Sequence, residues 1–320
     1  MRKKSFTVST ALVSALVVGC SSADPTSSVD LVPQESLLQT SHEDPGVSAE
    51  ASNPLPRHFP TQERFVRERA GFRGSSSNLG YYGGPTITSA HVVAIFWGWS
   101  TTDPISTSLQ NYIATYGTSH EYNVITQYYS SGPVYIRESS LAGDTPSVWY
   151  DTTTPPTNAT DAAVQGEVNT FLGQLGVSFD PSAIYEVFLP SGVYSSDGSA
   201  TSCGGPNLQY CAYHGSFANS HNGSDTKYAS MPYPSCGGCQ TSGFSTTQNI
   251  EHFISHETRE AVTDEDGNAW FDRRGYEADD KCAWSPTPFT DSMVGTNADG
   301  TGFAYQYEWS NAKSGCVKTR

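Results

Sequence analysis

The stretch HFISHETREA, residues 252 to 261, puts two histidines and two glutamates on one short segment. Within it, His256-Glu257-x-x-Glu260 has the spacing of the HExxH zinc helix, with glutamate in place of the second histidine. Residues four apart share a helix face, so His256 and Glu260 can reach one ion, and zinc accepts carboxylate as readily as imidazole. The residue after the first ligand points to the open side of such an ion, which assigns Glu257 the role of general base. A third donor must come from elsewhere, and Glu277 in GYEADDKC is the best candidate, with Asp279 and Asp280 as alternates or outer partners. His252 competes, because it too lies four residues from His256. A helix motif followed some way downstream by a glutamate with a nearby aspartate would complete such a site.

Glu257 is also out of place as a structural residue. On a helix it falls between Ile254 and Ala261 on the apolar stripe, where an ionised carboxylate is costly unless it meets a cation or several donors. The competing reading has no metal: His252, His256, Glu257, Arg259 and Glu260 form a hydrogen-bonded ionic cluster that fixes the helix against EADDKC. The chain would then be a non-catalytic surface protein binding cell-wall glycan or a protein partner. Trp97, Trp99, Trp149, Trp270, Trp284 and Trp309 supply aromatic faces for sugars, although most are expected in the core. His214, between cysteine and glycine on an expected strand, reads as a packed histidine. No G-x-S-x-G elbow and no phosphate loop occurs, so serine-hydrolase and nucleotide-binding readings have no support.

The elements that must position these residues are legible in outline. HVVAIFWGW (91–99) reads as a buried strand, and a helix is expected to follow Asp103-Pro104. TDAAVQGEVNTFLGQL (160–175) has helical spacing, AIYEVFLPS, YCAYHGSF and DTKYASMPY read as strands, and the His-Glu helix has Ser245 to Thr247 available as a cap. Alternating strands and helices, then strands feeding one polar helix, predict an α/β or α+β fold: a single zincin-like domain with a mixed sheet and a metal-site helix, stapled by disulfides.

The first residues, MRKKSFTVSTALVSALVVGC, combine basic, apolar and small-residue regions as a signal peptide does. VVGC resembles a bacterial lipobox, with Val17 where leucine is usual, so residues 1–19 are expected to be removed and Cys20 to carry a lipid anchor. Ser21 after it favours outer-membrane sorting. Residues 20–80, rich in Ser, Pro, Asp and Glu, read as a tether, and residues 81–320 as the globular domain. The formal charge of -15 becomes -15 - 3 = -18 once Arg2, Lys3 and Lys4 are lost, which argues against nucleic acid as a partner.

Seven cysteines divide into Cys20 and an even set of six in an exported chain, which predicts three disulfides among 15 possible pairings. Joining neighbours gives Cys203 with Cys211, Cys236 with Cys239, and Cys282 with Cys316. A zinc ribbon at CGGC would need a second such pair, and a redox pair usually starts a helix.

In order, YYGGPTITS, HVVAIFWGWS, CAYHG, CGGC, SHETREAVTDEDGNAWFD and EADDKCAW resemble the Exordium family of phosphate-induced proteins over about Tyr81 to Cys316. Members carry a His-Glu-x-x-Glu-Ala segment, a threonine, a tryptophan-containing stretch and an acidic segment with cysteine. These match His256, Glu257, Glu260, Ala261, Thr263, Trp270, Glu277, Asp280 and Cys282. Arg259 departs from the small or apolar residue usual there, and Asp264-Glu265 from the usual Asn or Asp followed by Pro. The resemblance implies a secreted protein associated with the cell wall and with growth.

Overall fold

The fold comes from a computed structural model, which describes residues 57–70, 77–143, 146–174 and 176–320. The signal peptide expected over residues 1–19, the lipid anchor at Cys20 and most of the expected tether lie outside the described residues. No described helix is long and apolar enough to cross a membrane.

Six strands form the central mixed sheet: β1 (His58–Pro60), β2 (His91–Trp97), β3 (Val148–Asp151), β4 (Ala183–Phe188), β5 (Tyr210–Ala218) and β6 (Asp225–Met231), in the order β1-β5-β6-β4-β2-β3. The pairs β6/β4, β4/β2 and β2/β3 are parallel, whereas β5 runs antiparallel to both its neighbours. Successive side chains of β2 alternate between two cores, as a strand buried on both faces requires. Val92, Ala94 and Phe96 join the core that contains Ile250, Phe253 and Ile254 of the helix α4 (Thr246–Thr263), together with α2 (Pro104–Tyr116). Val93, Ile95 and Trp97 face Val164, Val168 and Phe171 of α3 (Asp161–Leu172). The expected mixed-sheet domain is therefore present, as helices on both faces of one sheet.

Local chemistry sets the helix starts. Asp103 caps α2 through Ile105 N at 2.8 Å, with Pro104 at the first turn, and Thr160 caps α3. Ser245 and Gln248 form a reciprocal capping box that fixes where α4 begins. Tyr122–Gln127 is a 3-10 helix.

Two expectations are corrected. The ordered domain begins before residue 81: β1 is an edge strand of the main sheet and is followed by α1 (Gln62–Ala70). Two aromatic anchors, Phe59 and Phe65, explain this, since both are buried and each contributes roughly 1.5–3 kcal/mol, despite the polar composition around them. The disulfides are Cys203–Cys236, Cys211–Cys239 and Cys282–Cys316, so only the last matches the neighbour pairing. The loop over residues 201–209 closes on its own backbone bonds, Thr201 N to Asn207 O and Gln209 N to Thr201 O, both 2.9 Å. Cys236, which caps the short turn Gly237–Cys239, and Cys239 at its end instead fasten two separate segments. These three bridges suit an extracellular or otherwise oxidising compartment.

Candidate metal centre

Three elements converge beneath the sheet edge. α4 contributes His252, His256, Glu257 and Glu260, β5 contributes His214, and the turn after Phe271 contributes Glu277, Asp279 and Asp280. Tyr213 of β5 faces the α3 core, so the period-2 alternation turns His214 toward α4.

The donors fall into two trios, His214/Glu260/Glu277 and His256/Glu257/Glu260, each with ligand atoms within 4.8 Å of one another. Glu260 belongs to both, so they make one cluster. The trio expected from the sequence, His256, Glu260 and Glu277, spans the two. His214, read from the sequence as a packing residue, is at the middle of the cluster. Its Nδ1 lies 2.9 Å from Glu257 Oε2 and 3.8 Å from Glu260 Oε2, and its Nε2 lies 3.8 Å from Glu277 Oε1. No local signal in CAYHG marks this, because the partner carboxylates are brought in by pairing across the sheet and from α4.

His256 carries the most informative geometry. Gln306 donates through Nε2 to the Asp279 carbonyl at 2.8 Å and to Asp279 Oδ1 at 2.9 Å, so its Oε1 is the acceptor. That oxygen takes the Nδ1 proton of His256 at 3.1 Å. The Nε2 of a neutral His256 is then a lone pair, and it faces Glu260 Oε2 at 3.0 Å without a hydrogen bond. Two acceptors so placed repel unless a proton or cation lies between them. His214 Nε2, Glu257 Oε1 and Glu277 Oε1 are likewise buried without a partner. A histidine with one nitrogen hydrogen-bonded to a carbonyl or carboxylate and the other free toward carboxylates has the arrangement of a metal ligand with its outer partner. The nitrogen-to-oxygen separations also fit two bonds of about 2.0–2.2 Å from one zinc ion.

The electrostatics agree. Burial pushes the His214 imidazole well below its ordinary range, and His256 is lowered by the same cause. The close His-carboxylate pairs are therefore contacts of neutral rings. Burial first, and then Glu260, pushes Glu277 and Asp280 well above the carboxylate range, and burial with Glu260 and Asp280 does the same to Glu257. Arg259, fully buried, does not offset this charge directly, since it is paired to Asp279 and, at 2.9 Å, to Glu308. Removing like-charge repulsion among four carboxylates is what a divalent ion does.

The remaining alternates are placed differently. His252 Nε2 donates to Gln306 Oε1 at 3.1 Å and Ala283 O at 3.2 Å, and it belongs to neither trio. It shares the hydrogen-bond partner of His256 instead of its ligand face. Asp280 Oδ1 stands 3.9 Å from His256 Nε2, and its backbone N–H donates to Glu260 Oε1 at 2.8 Å, which aims the other Glu260 oxygen at the histidines. Sequence reasoning missed Gln306, a lone glutamine in the C-terminal tail with no motif around it. The CGGC cysteines are consumed by disulfides and offer no metal ligand.

The donors of the two trios are 0–3% exposed, so the centre is closed to solvent in this conformation. The Phe59 ring stacks on His256 at 4.3 Å between centroids and is backed by Trp284 at 5.0 Å. Four of the six tryptophans, Trp97, Trp99, Trp270 and Trp309, are buried and unavailable to sugars. No family model, curated protein or solved structure matches the chain.

Proposed function

We propose that this is an exported, surface-anchored protein that holds one zinc ion at the α4 centre and hydrolyses peptide bonds there. The observation that carries the metal is the Nε2 of His256 facing Glu260 Oε2 at 3.0 Å while its Nδ1 is committed to Gln306. His256, Glu260 and Glu277 hold the ion, with His214 as an added donor. When bound, zinc polarises a carbonyl and lowers the pKa of water. Glu257 Oε1, the unpartnered oxygen, takes the proton as water attacks the amide and delivers it to the leaving nitrogen. His214 Nδ1–H fixes the other oxygen, which sets the direction in which the free one points. Anchoring is assigned to Cys20, and resemblance to the Exordium family supports the extracellular location.

Complete burial of the centre favours a second reading, a non-catalytic protein that binds cell-wall glycan or a protein partner and uses the cluster for stability alone. Glu257→Gln separates the two. The hydrolase reading expects loss of cleavage of a peptide library with zinc retained; wild-type protein that binds zinc and cleaves nothing supports the second.

A further inference from the structure

The centre is shut on its His256 flank by β1, a short edge strand of the sheet. It is three residues long, its register slips between Phe59 and Pro60, and Pro60 has no N–H to donate. His214 N donates to Arg57 O at 3.2 Å, and Thr61 N to Gln209 O at 3.3 Å. All three disulfides lie between Cys203 and Cys316, so none ties residues 57–70 to the core.

The side chains of β1 alternate between two recesses. Phe59, opposite Ala212, enters the α4 side and covers His256. His58, opposite Tyr213, goes to the other face, where Nε2 meets Asp197 Oδ2 at 2.8 Å and the ring stacks on Tyr210 at 4.6 Å. Antiparallel addition to a sheet edge, with recesses for alternate side chains, is how folded domains recognise extended peptides.

We propose that the β5 edge is the docking groove for an extended peptide with a basic or polar residue followed by an aromatic one, and that β1 is its resident occupant. Asp197 at the rim selects the first side chain and the recess over His256 the second. Its catalytic consequence, that β1 must leave the groove before a peptide can reach the donors, rests on the hydrolase reading; the groove itself does not.

The test uses the full chain and a fluorescein-labelled peptide with the sequence of residues 57–66, RHFPTQERFV. Phe59→Ala weakens the resident strand from within, and Asp197→Asn loosens it at the rim without entering the core. The groove predicts saturable peptide binding to Phe59→Ala at least ten-fold tighter than to wild type, abolished when the peptide's first phenylalanine, the counterpart of Phe59, is replaced by alanine and its second is kept. It also predicts that the His214 amide exchanges with solvent at least ten-fold faster in both variants, while amides of β2 and β4 keep their wild-type rates. Absence of peptide binding, with the His214 amide exchanging in step with β4 in Asp197→Asn, overturns the proposal, because β1 then opens only with the whole domain. Zinc titration of the same samples reports separately on the metal: peptide binding without zinc uptake retains the groove and removes the hydrolase.

Discussion

His214 and Glu257 are 43 residues apart in the chain and meet at 2.9 Å with both side chains fully buried. That contact joins the sheet to α4 and completes a cluster of which the helix motif shows only one side. If His214 is a donor, its removal should be felt by the metal. His214→Ala is expected to lower zinc affinity by about 100-fold or more, measured by competition with a chromophoric chelator. Wild-type affinity in the variant would return His214 to the role of a packing residue.

Glu257 is the candidate base and not a required ligand. Glu257→Gln should keep zinc and fold while peptide hydrolysis drops by roughly 10²–10⁴-fold, the range that a positioned proton acceptor contributes. Full turnover in the variant would remove Glu257 from the chemistry.

Gln306 acts on the metal through His256. In Gln306→Ala the Nδ1 proton loses its acceptor and the ring its fixed orientation, so zinc affinity should fall by about 10–100-fold, less than in His256→Ala. Equal losses in the two variants would contradict the outer role.

Glu186 gives a prediction in pH. It lies on β4 facing α4, accepts from Thr258 Oγ1 at 2.6 Å, and burial pushes its carboxyl up to about 8. The folded chain keeps this proton above the ordinary carboxylate range whereas the unfolded chain releases it, so the group's contribution to stability falls as pH rises. The slope is about 1.4 kcal/mol per pH unit and ends near the folded value. Glu186→Gln should therefore be increasingly more stable than wild type in urea unfolding from about pH 5 to 8, with the difference level above that. Parallel profiles would show that Glu186 is ionised in the folded protein.

Much of the frame was readable because it depends on local pattern. The apolar run HVVAIFW, the Asp103-Pro104 start and the Ser245 cap are each decided by neighbours in the chain, and each formed as expected. The face shared by His256 and Glu260 follows from helix geometry alone. What could not be read comes from distant pairing. His214 faces the centre only because β5 lies between β1 and β6 at that register, and Gln306 reaches His256 from 50 residues away. The cysteine partners changed for a related reason: sequence proximity favoured Cys203 with Cys211, but the loop over residues 201–209 closes through its own backbone. Phe59 and Phe65 extended the domain because two aromatic anchors outweigh the composition of the segment around them.

The central claim is that the cluster on α4 is a metal site. It is tested most directly by metal content, with the full chain made in an oxidising compartment, purified without chelator or histidine tag, and analysed by plasma mass spectrometry beside His256→Ala. One zinc per wild-type chain, lost in the variant, is the predicted result. No bound metal in the wild type, even after incubation with zinc and removal of the excess, would contradict it and leave His256 and Glu260 sharing a proton in a structural cluster.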